Sequence, residues 1–169
     1  MSESTIAGNE KHAHQKPPLS CARIAGEILA GTSTASTAAA LAYLCFYVVS
    51  YGAEIAGLGE EGCMGNPVFW VIWGTAGWVV PLAYVLAGAV GVYLVGSRGN
   101  QTGSFLVTLG GSFLGVFVTA LLYLYLYMAA GEMYLMLGIV LWPLVFLAPP
   151  IMATLCFNLT RRYKEPASP

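Results

Sequence analysis

The sequence predicts an all-α integral membrane protein whose four transmembrane helices pack through Gly- and Ala-rich faces. Hydrophobic residues make up 57% of the 169 residues and charged residues only 9%, whereas about a quarter of the residues in a soluble domain are charged. The charges are also segregated, because four stretches contain no Asp, Glu, Lys or Arg: residues 28–53, 68–97, 99–131 and 133–160. Each stretch is longer than the ~20 residues that a membrane-spanning helix needs, so we predict four spans.

These spans divide the chain into a membrane domain with a polar tail at each end. The N-terminal tail has no apolar core of the kind that a secretory signal peptide requires. We predict a disordered polar tail, a four-helix transmembrane domain with spans at about 28–50, 68–95, 104–130 and 134–157, and a short basic cytoplasmic tail; their bounds are residues 1–22, 23–160 and 161–169.

The distribution of charge predicts the orientation of the spans. All seven basic residues fall on the side that carries both termini: Lys11, Lys16, Arg23, Arg98, Arg161, Arg162 and Lys164. The charged residues of the opposite loops are all acidic: Glu54, Glu60, Glu61 and Glu132. Because basic flanks of membrane spans stay in the cytoplasm, we predict a multi-pass protein of the bacterial cytoplasmic (inner) membrane with both termini cytoplasmic. Aromatic residues gather near the outer ends of the spans, away from the basic residues, as in an interfacial belt. They are Tyr47, Tyr51, Phe69, Trp70, Trp73, Tyr123, Tyr125, Tyr127 and Tyr134.

The first span is the least lipid-like of the four. Its middle, Ala30–Ala40, reads AGTSTASTAAA and is small or hydroxylated on every face. Ser and Thr side chains can bond back to the carbonyl four residues earlier, which lets such a segment stay helical. We expect this span to lie among other helices or to line a wet cavity.

The third span begins with the repetitive stretch GSFLVTLGGSFLG, residues 103–115. On a helix, Gly103, Gly111 and Gly115 fall into one row, and Phe105, Leu109 and Phe113 fall into another. Small residues four apart allow two helices to approach closely, and no strand or Gly-Lys-Ser/Thr sequence supports a phosphate-binding loop. The short connection RGNQTG further predicts that the second and third spans form a tight antiparallel pair. We predict small-xxx-small packing through the first three spans: Gly111, Gly115 and Thr119; Ala83, Ala87 and Gly91; Ala30, Thr34 and Ala38.

Prolines interrupt the second and fourth spans. Pro81, Pro143, Pro149 and Pro150 each remove one helical hydrogen bond and free the carbonyl four residues earlier. Freed carbonyls coordinate ions or substrates in the broken helices of transporters, or accept a hydrogen bond from a neighbouring Ser or Thr at a packing kink. We favour the kink, and we expect irregular backbone in the segment LAPPIMA of the fourth span.

The sequence offers no constellation for catalysis, metal binding or a cofactor. Ion-coupled transport usually requires an ionisable residue within the membrane, and no predicted span contains a carboxylate. Glu27 lies just before the first span, and we expect it to form an exposed contact with Arg23. The net charge of −1 provides no overall positive field, so we do not expect the protein to bind nucleic acid. We predict no enzyme activity, no catalytic residue, no metal and no cofactor, and the sequence identifies no cofactor-binding residue. The cysteines form no C-x-x-C pair and both histidines lie in the N-terminal tail: Cys21, Cys45, Cys63 and Cys156; His12 and His14.

Three hypotheses for the function remain. The first is a non-catalytic accessory or assembly subunit within a larger membrane complex, whose partners are the lipid bilayer and other membrane subunits or further copies of this chain. The alternative is a small oligomeric channel or transporter with a Ser/Thr-lined path along the first span. The third, a membrane enzyme or redox carrier, lacks candidate residues. We rank the hypotheses in this order.

Overall fold

A computed structural model describes residues 20–58, 67–98, 101–130 and 134–163. Several features named above lie outside the described residues: the N-terminal tail through residue 19, Lys11, His12, His14, Lys16, Glu60, Glu61, Cys63, Glu132, Lys164 and the side chain of Tyr134.

Four long helices make up most of the described chain. Helix α1 is Cys21–Ala53, α2 is Pro67–Gly96, α3 is Phe105–Ala130 and α4 is Tyr134–Thr160. Each contains a segment that is long and apolar enough to cross a membrane. The predicted all-helical fold with four candidate spans is thereby confirmed, and the chain is consistent with a multi-pass membrane protein.

Helix α1 is longer than the predicted first span. It begins at Cys21 rather than at residue 28, because the polar residues that precede the apolar segment continue the helix. Arg23 and Glu27 therefore lie in its first two turns. At the other end α1 runs into a π-helical turn, Glu54–Leu58. Gly57 in this turn has a φ of 73°, a left-handed conformation that glycine adopts without steric cost and that commonly ends a helix.

Two short strands pair with each other at one end of the helices. Strand β1, Gln101–Thr102, follows α2, and strand β2, Arg162–Tyr163, follows α4. They pair antiparallel, with Gln101 opposite Tyr163 and Thr102 opposite Arg162. The first residues of the predicted C-terminal tail are thus paired with the α2–α3 connection. We call this end, where α1 and α3 begin and α2 and α4 end, the terminal end, and the opposite end the far end.

The helices associate as two closely packed pairs. Helix α1 packs mainly on α2, and α3 packs mainly on α4. Helices α2 and α4 also contact each other, and each of them contacts all three other helices. The predicted tight α2–α3 pair is therefore wrong: these helices touch, but much less extensively than α3 and α4 do. Gly111 and Gly115 of α3 lie against α4, whereas Gly88 and Gly91 of α2 lie against α1.

The buried residues concentrate in the half of the bundle next to the terminal end. Val92, Ala153 and Phe157 form its core, and the Phe157 ring fills the space beside Gly96 and Gly103, where neither glycine has room for a Cβ atom. We call this part the terminal half, residues 20–36, 82–117 and 148–163, and the remainder the far half, residues 37–58, 67–81, 118–130 and 134–147. Among the described side chains of the far half, Ala76 and Thr119 are the buried ones.

Candidate functional site

A charged side chain is fully enclosed at the terminal end. Glu27 has 0% of its side chain exposed, and its Oε1 accepts a hydrogen bond from the Arg23 Nε at 3.3 Å. The predicted Arg23–Glu27 contact therefore exists, but the expectation that it is exposed is wrong. Glu27 is buried because it shares a helix row with Gly31 and Ala35, the other buried residues of α1, and this row faces the rest of the bundle.

Helix α4 provides the second partner of this carboxylate. The Asn158 Nδ2 donates to the Glu27 Oε2 at 2.7 Å and to the Thr154 carbonyl at 2.9 Å. The Asn158 Oδ1 accepts a hydrogen bond from the Arg161 Nη1 at 2.9 Å, and Arg161 is only 2% exposed. Both carboxylate oxygens are thus satisfied, one from α1 and one from α4.

Arg23 connects the same group to the end of α2. Its Nη2 donates to the carbonyls of Gly96 and Arg98, the latter at 3.0 Å. The last carbonyls of a helix have no partner within it and carry partial negative charge, so a guanidinium is a favourable cap. Arg23, Glu27, Asn158 and Arg161 therefore form one hydrogen-bonded group, the terminal network, that joins α1, α4 and the end of α2.

The terminal network is a saturated ionic cluster. Its carboxylate is held by opposite charge and by an amide. Loss of one partner from a buried ion pair leaves an uncompensated charge, which costs about 3–5 kcal/mol. The network is therefore suited to fixing three helix ends relative to one another.

Four of the predicted packing residues meet between α1 and α2. The Thr34 Oγ1 donates to the Ala30 carbonyl at 2.8 Å and to the Ala87 carbonyl on α2 at 2.9 Å. A Cβ atom on Gly91 would lie 2.8 Å from the Ala30 carbonyl oxygen and would overlap the Thr34 side chain. The absence of a side chain at Gly91 thus permits the approach of the two backbones.

The predicted packing residues of α3 lie against α4, which the sequence did not select as their partner. A Cβ atom on Gly111 would lie 2.6 Å from the Met152 carbonyl oxygen, and one on Gly115 would lie 2.7 Å from the Ala148 carbonyl oxygen. The Thr119 hydroxyl donates to the Gly115 carbonyl at 2.8 Å. The two remaining members of the predicted set are half-buried: Ala38 and Ala83.

A carbonyl freed by proline has a partner from another helix. Pro150 cannot donate to the Phe146 carbonyl, and the Tyr84 hydroxyl of α2 donates to it instead. Helix α4 is continuous through Pro143, Pro149 and Pro150, so the irregular backbone expected in this segment is not found. A tyrosine, rather than the expected Ser or Thr, satisfies the freed carbonyl.

The hydroxyl-rich middle of α1 lies at the periphery of the chain. Ser33 and Thr37 are exposed, and so is Ala40. The Ser33 Oγ donates to the Ala30 carbonyl at 3.1 Å and the Thr37 Oγ1 donates to the Ser33 carbonyl at 2.8 Å. The expectation that this segment lies among other helices is thus not met on this side within the single chain. We call Ser33, Thr37 and Ala40 the smooth face of α1.

Sequence reasoning missed the enclosure of Glu27 and the roles of Asn158 and Tyr84. A signal for Glu27 was present, because an acidic residue that precedes Gly31 and Ala35 at four-residue spacing lies on a smooth and therefore packable row. The partners Asn158 and Tyr84 depend on which helices meet, and sequence spacing does not contain that information. Within the described ranges, no group of three or more His, Cys, Asp or Glu residues could hold a metal ion.

Comparisons with known proteins add no family to this description. No protein-family profile, curated protein or solved structure matches the chain.

Proposed function

We propose that this chain is a non-catalytic, multi-pass membrane subunit that packs within a larger membrane assembly through the smooth face of α1. The observation that carries the proposal is that Ser33, Thr37 and Ala40 are exposed, although they belong to the least lipid-like segment of the four helices. Leu29 and Leu44, at either end of this face, are 70% and 54% exposed. The small side chains of this face thus lie between two exposed leucines.

Small residues at this position favour a neighbouring helix over lipid. Lipid tails are as apolar as leucine, so helices associate in a bilayer through close backbone approach. A surface of Ser33, Thr37 and Ala40 gives lipid few apolar atoms to contact, yet it allows a second helix to come within van der Waals distance of the backbone. The partner is another membrane subunit or a further copy of this chain.

The hydrogen bonds of the hydroxyls support a packing surface over the alternative of a channel lining. A Ser/Thr-lined path needs hydroxyls that are available to water or to a permeating solute. The Thr34 Oγ1 is engaged with the Ala30 and Ala87 carbonyls, and the Thr37 Oγ1 is engaged with its own helix. Hydroxyls bonded in this way suit a dry contact between helices.

The test is isolation of the full-length protein from its native membrane in a mild detergent. We expect it to co-purify with a membrane partner or as an oligomer. The double variant Ser33→Leu/Thr37→Leu should lose that partner, because the leucine side chains keep a neighbouring helix away from the α1 backbone. Val118→Leu on α3 is the matched control, since Val118 is 48% exposed and lies on another helix. A wild-type protein that runs as a homogeneous monomer without a partner would contradict the proposal.

We further propose that the terminal end faces the cytoplasm of a bacterium, because the arginines of the described chain cluster there while the exposed Glu54 lies at the far end. Cysteines at the two ends test this orientation: Arg98→Cys and Glu54→Cys, each in a variant that lacks the native cysteines. A membrane-impermeant maleimide applied to intact spheroplasts should label Glu54→Cys and spare Arg98→Cys. The reverse labelling would contradict the orientation without affecting the proposed role as a subunit.

A further inference from the structure

The terminal end carries more positive charge than the described residues neutralise. It holds Arg23, Arg98, Arg161 and Arg162, against Glu27 as its one described carboxylate. Four positive charges and one negative charge give a net charge of +3 for these residues. At the far end, the one described charged residue is Glu54, so the charge is concentrated on one side of the bundle.

The single carboxylate is sealed away from the exposed arginines. Glu27 is 0% exposed, and both of its oxygens are already engaged by Arg23 and Asn158. Arg161 is 2% exposed and bonds to Asn158. Arg23 and Arg161 are therefore used within the protein, and Glu27 is buried where the exposed arginines do not reach it.

The two remaining arginines, Arg98 and Arg162, are exposed and sit on fixed backbone. The Arg98 N–H donates to the Val95 carbonyl at 3.2 Å, and its own carbonyl accepts the Arg23 guanidinium. Arg162 is held in β2 opposite Thr102 of β1, so it lies against the connection that begins with Arg98. The fold thus presents two exposed guanidinium groups on one rim, where the apolar helices end.

We propose that Arg98 and Arg162 bind the phosphate group of an anionic phospholipid. A guanidinium donates two parallel hydrogen bonds to phosphate oxygens and is weakly hydrated, which makes arginine well suited to phosphate recognition. Lipid phosphates lie at the depth where membrane-spanning helices end, and juxtamembrane basic residues are attracted to anionic lipids. The proposal rests on the membrane location that we propose for the chain and is independent of its role as a subunit.

The test is native mass spectrometry of the full-length protein with phosphatidylglycerol or phosphatidylcholine of identical acyl chains. We expect the wild-type protein to retain phosphatidylglycerol preferentially. Arg98→Gln and Arg162→Gln should each weaken that binding about fivefold, and the double variant about 30-fold, from the typical contribution of one basic residue near an anionic surface. Arg98→Lys/Arg162→Lys keeps the charge but loses the paired donors of the guanidinium, so it should retain only part of the preference.

Controls separate a local site from net charge and from loss of folding. Glu54→Gln raises the net charge by one at the far end and should leave the preference unchanged. The single variants provide the same readout if the double variant fails to fold. The proposal is overturned if Arg98→Gln/Arg162→Gln, with wild-type helix content, keeps the full preference. It is also overturned if soluble glycerol phosphate displaces the bound lipid at equal concentration, because the site would then be one for free phosphate.

Discussion

The terminal half and the far half of the bundle are built on opposite principles. In the terminal half, glycines bring backbones into contact, a phenylalanine fills the space beside Gly96 and Gly103, and a buried carboxylate is held from two helices. In the far half, the described side chains are largely exposed, including Trp78 at 77% and Met128 at 78%. The same four helices are therefore tightly fastened at one end and only loosely packed at the other.

This difference indicates which half stabilises the chain and which half remains for other contacts. A buried ionic group and backbone-to-backbone packing tolerate few substitutions, whereas exposed apolar side chains tolerate many. If the chain lies in a membrane as proposed, the exposed residues of the far half contact lipid or a partner. The terminal half then holds the four helices together, and the surface that we propose for assembly, the smooth face of α1, extends across both halves.

Removal of the buried carboxylate should produce the largest effect. We expect Glu27→Ala to lower the free energy of unfolding by about 3 kcal/mol, because Arg23 loses its ionic partner and Asn158 loses a hydrogen-bond acceptor at a buried position. The measurement is reversible unfolding in mixtures of detergent and SDS. Glu54→Ala removes the same kind of side chain at the far end, where it is exposed, and serves as the control. Equal losses in the two variants would contradict the contrast between the halves.

A side chain at the α3–α4 contact should have the next largest effect. We expect Gly111→Ile to cost about 1–3 kcal/mol, because a Cβ atom at this position would lie 2.6 Å from the Met152 carbonyl oxygen. Gly110 is the matched control, since a Cβ atom there meets nothing within 4 Å. The same unfolding measurement applies, and a Gly111→Ile variant as stable as Gly110→Ile would show that the backbones do not approach closely here.

Loss of the Tyr84 hydroxyl should have a smaller effect. Tyr84→Phe removes the donor to the Phe146 carbonyl while it keeps the ring, whose centroid lies 5.9 Å from that of Phe146. Hydrogen bonds between membrane helices contribute about 0.6 kcal/mol on average, so we expect a loss of about that size. Tyr43→Phe on α1 is the control, because it removes a hydroxyl from a residue that is 51% exposed. A loss no greater than that of Tyr43→Phe would count against a structural role for the Tyr84 hydroxyl.

Much of the fold could be predicted from the sequence, because the length and hydropathy of one segment are enough to identify a membrane-spanning helix. The four uncharged stretches predicted four helices, and the described helices α2 and α3 agree with the predicted spans to within a residue or so. The start of α1 could not be placed in this way, since Arg23 and Glu27 are hydrophilic but still helical. Hydropathy marks the apolar part of a helix, whereas its first turn is decided by caps and contacts.

The sequence did not predict which helices pack against each other. The small residues of α3 marked a packing face, yet the identity of the partner depended on Met152 and Pro149 of α4, which no spacing pattern connects to Gly111 or Gly115. The burial of Glu27 likewise required Asn158 to arrive from the other end of the chain. A pattern in one helix reports which face is smooth, and only the packed structure reports what lies against it.

The most direct test of the contrast between the halves is one matched pair of valines. Val92 in the terminal half is 0% exposed and Val48 in the far half is 60% exposed, so Val92→Ala and Val48→Ala make the same chemical change in two environments. In unfolding titrations we expect Val92→Ala to cost about 2 kcal/mol, from lost packing and the cavity left behind, and Val48→Ala to cost less than about 0.5 kcal/mol. Equal costs, or a larger cost at Val48, would contradict the conclusion that the terminal half stabilises the bundle.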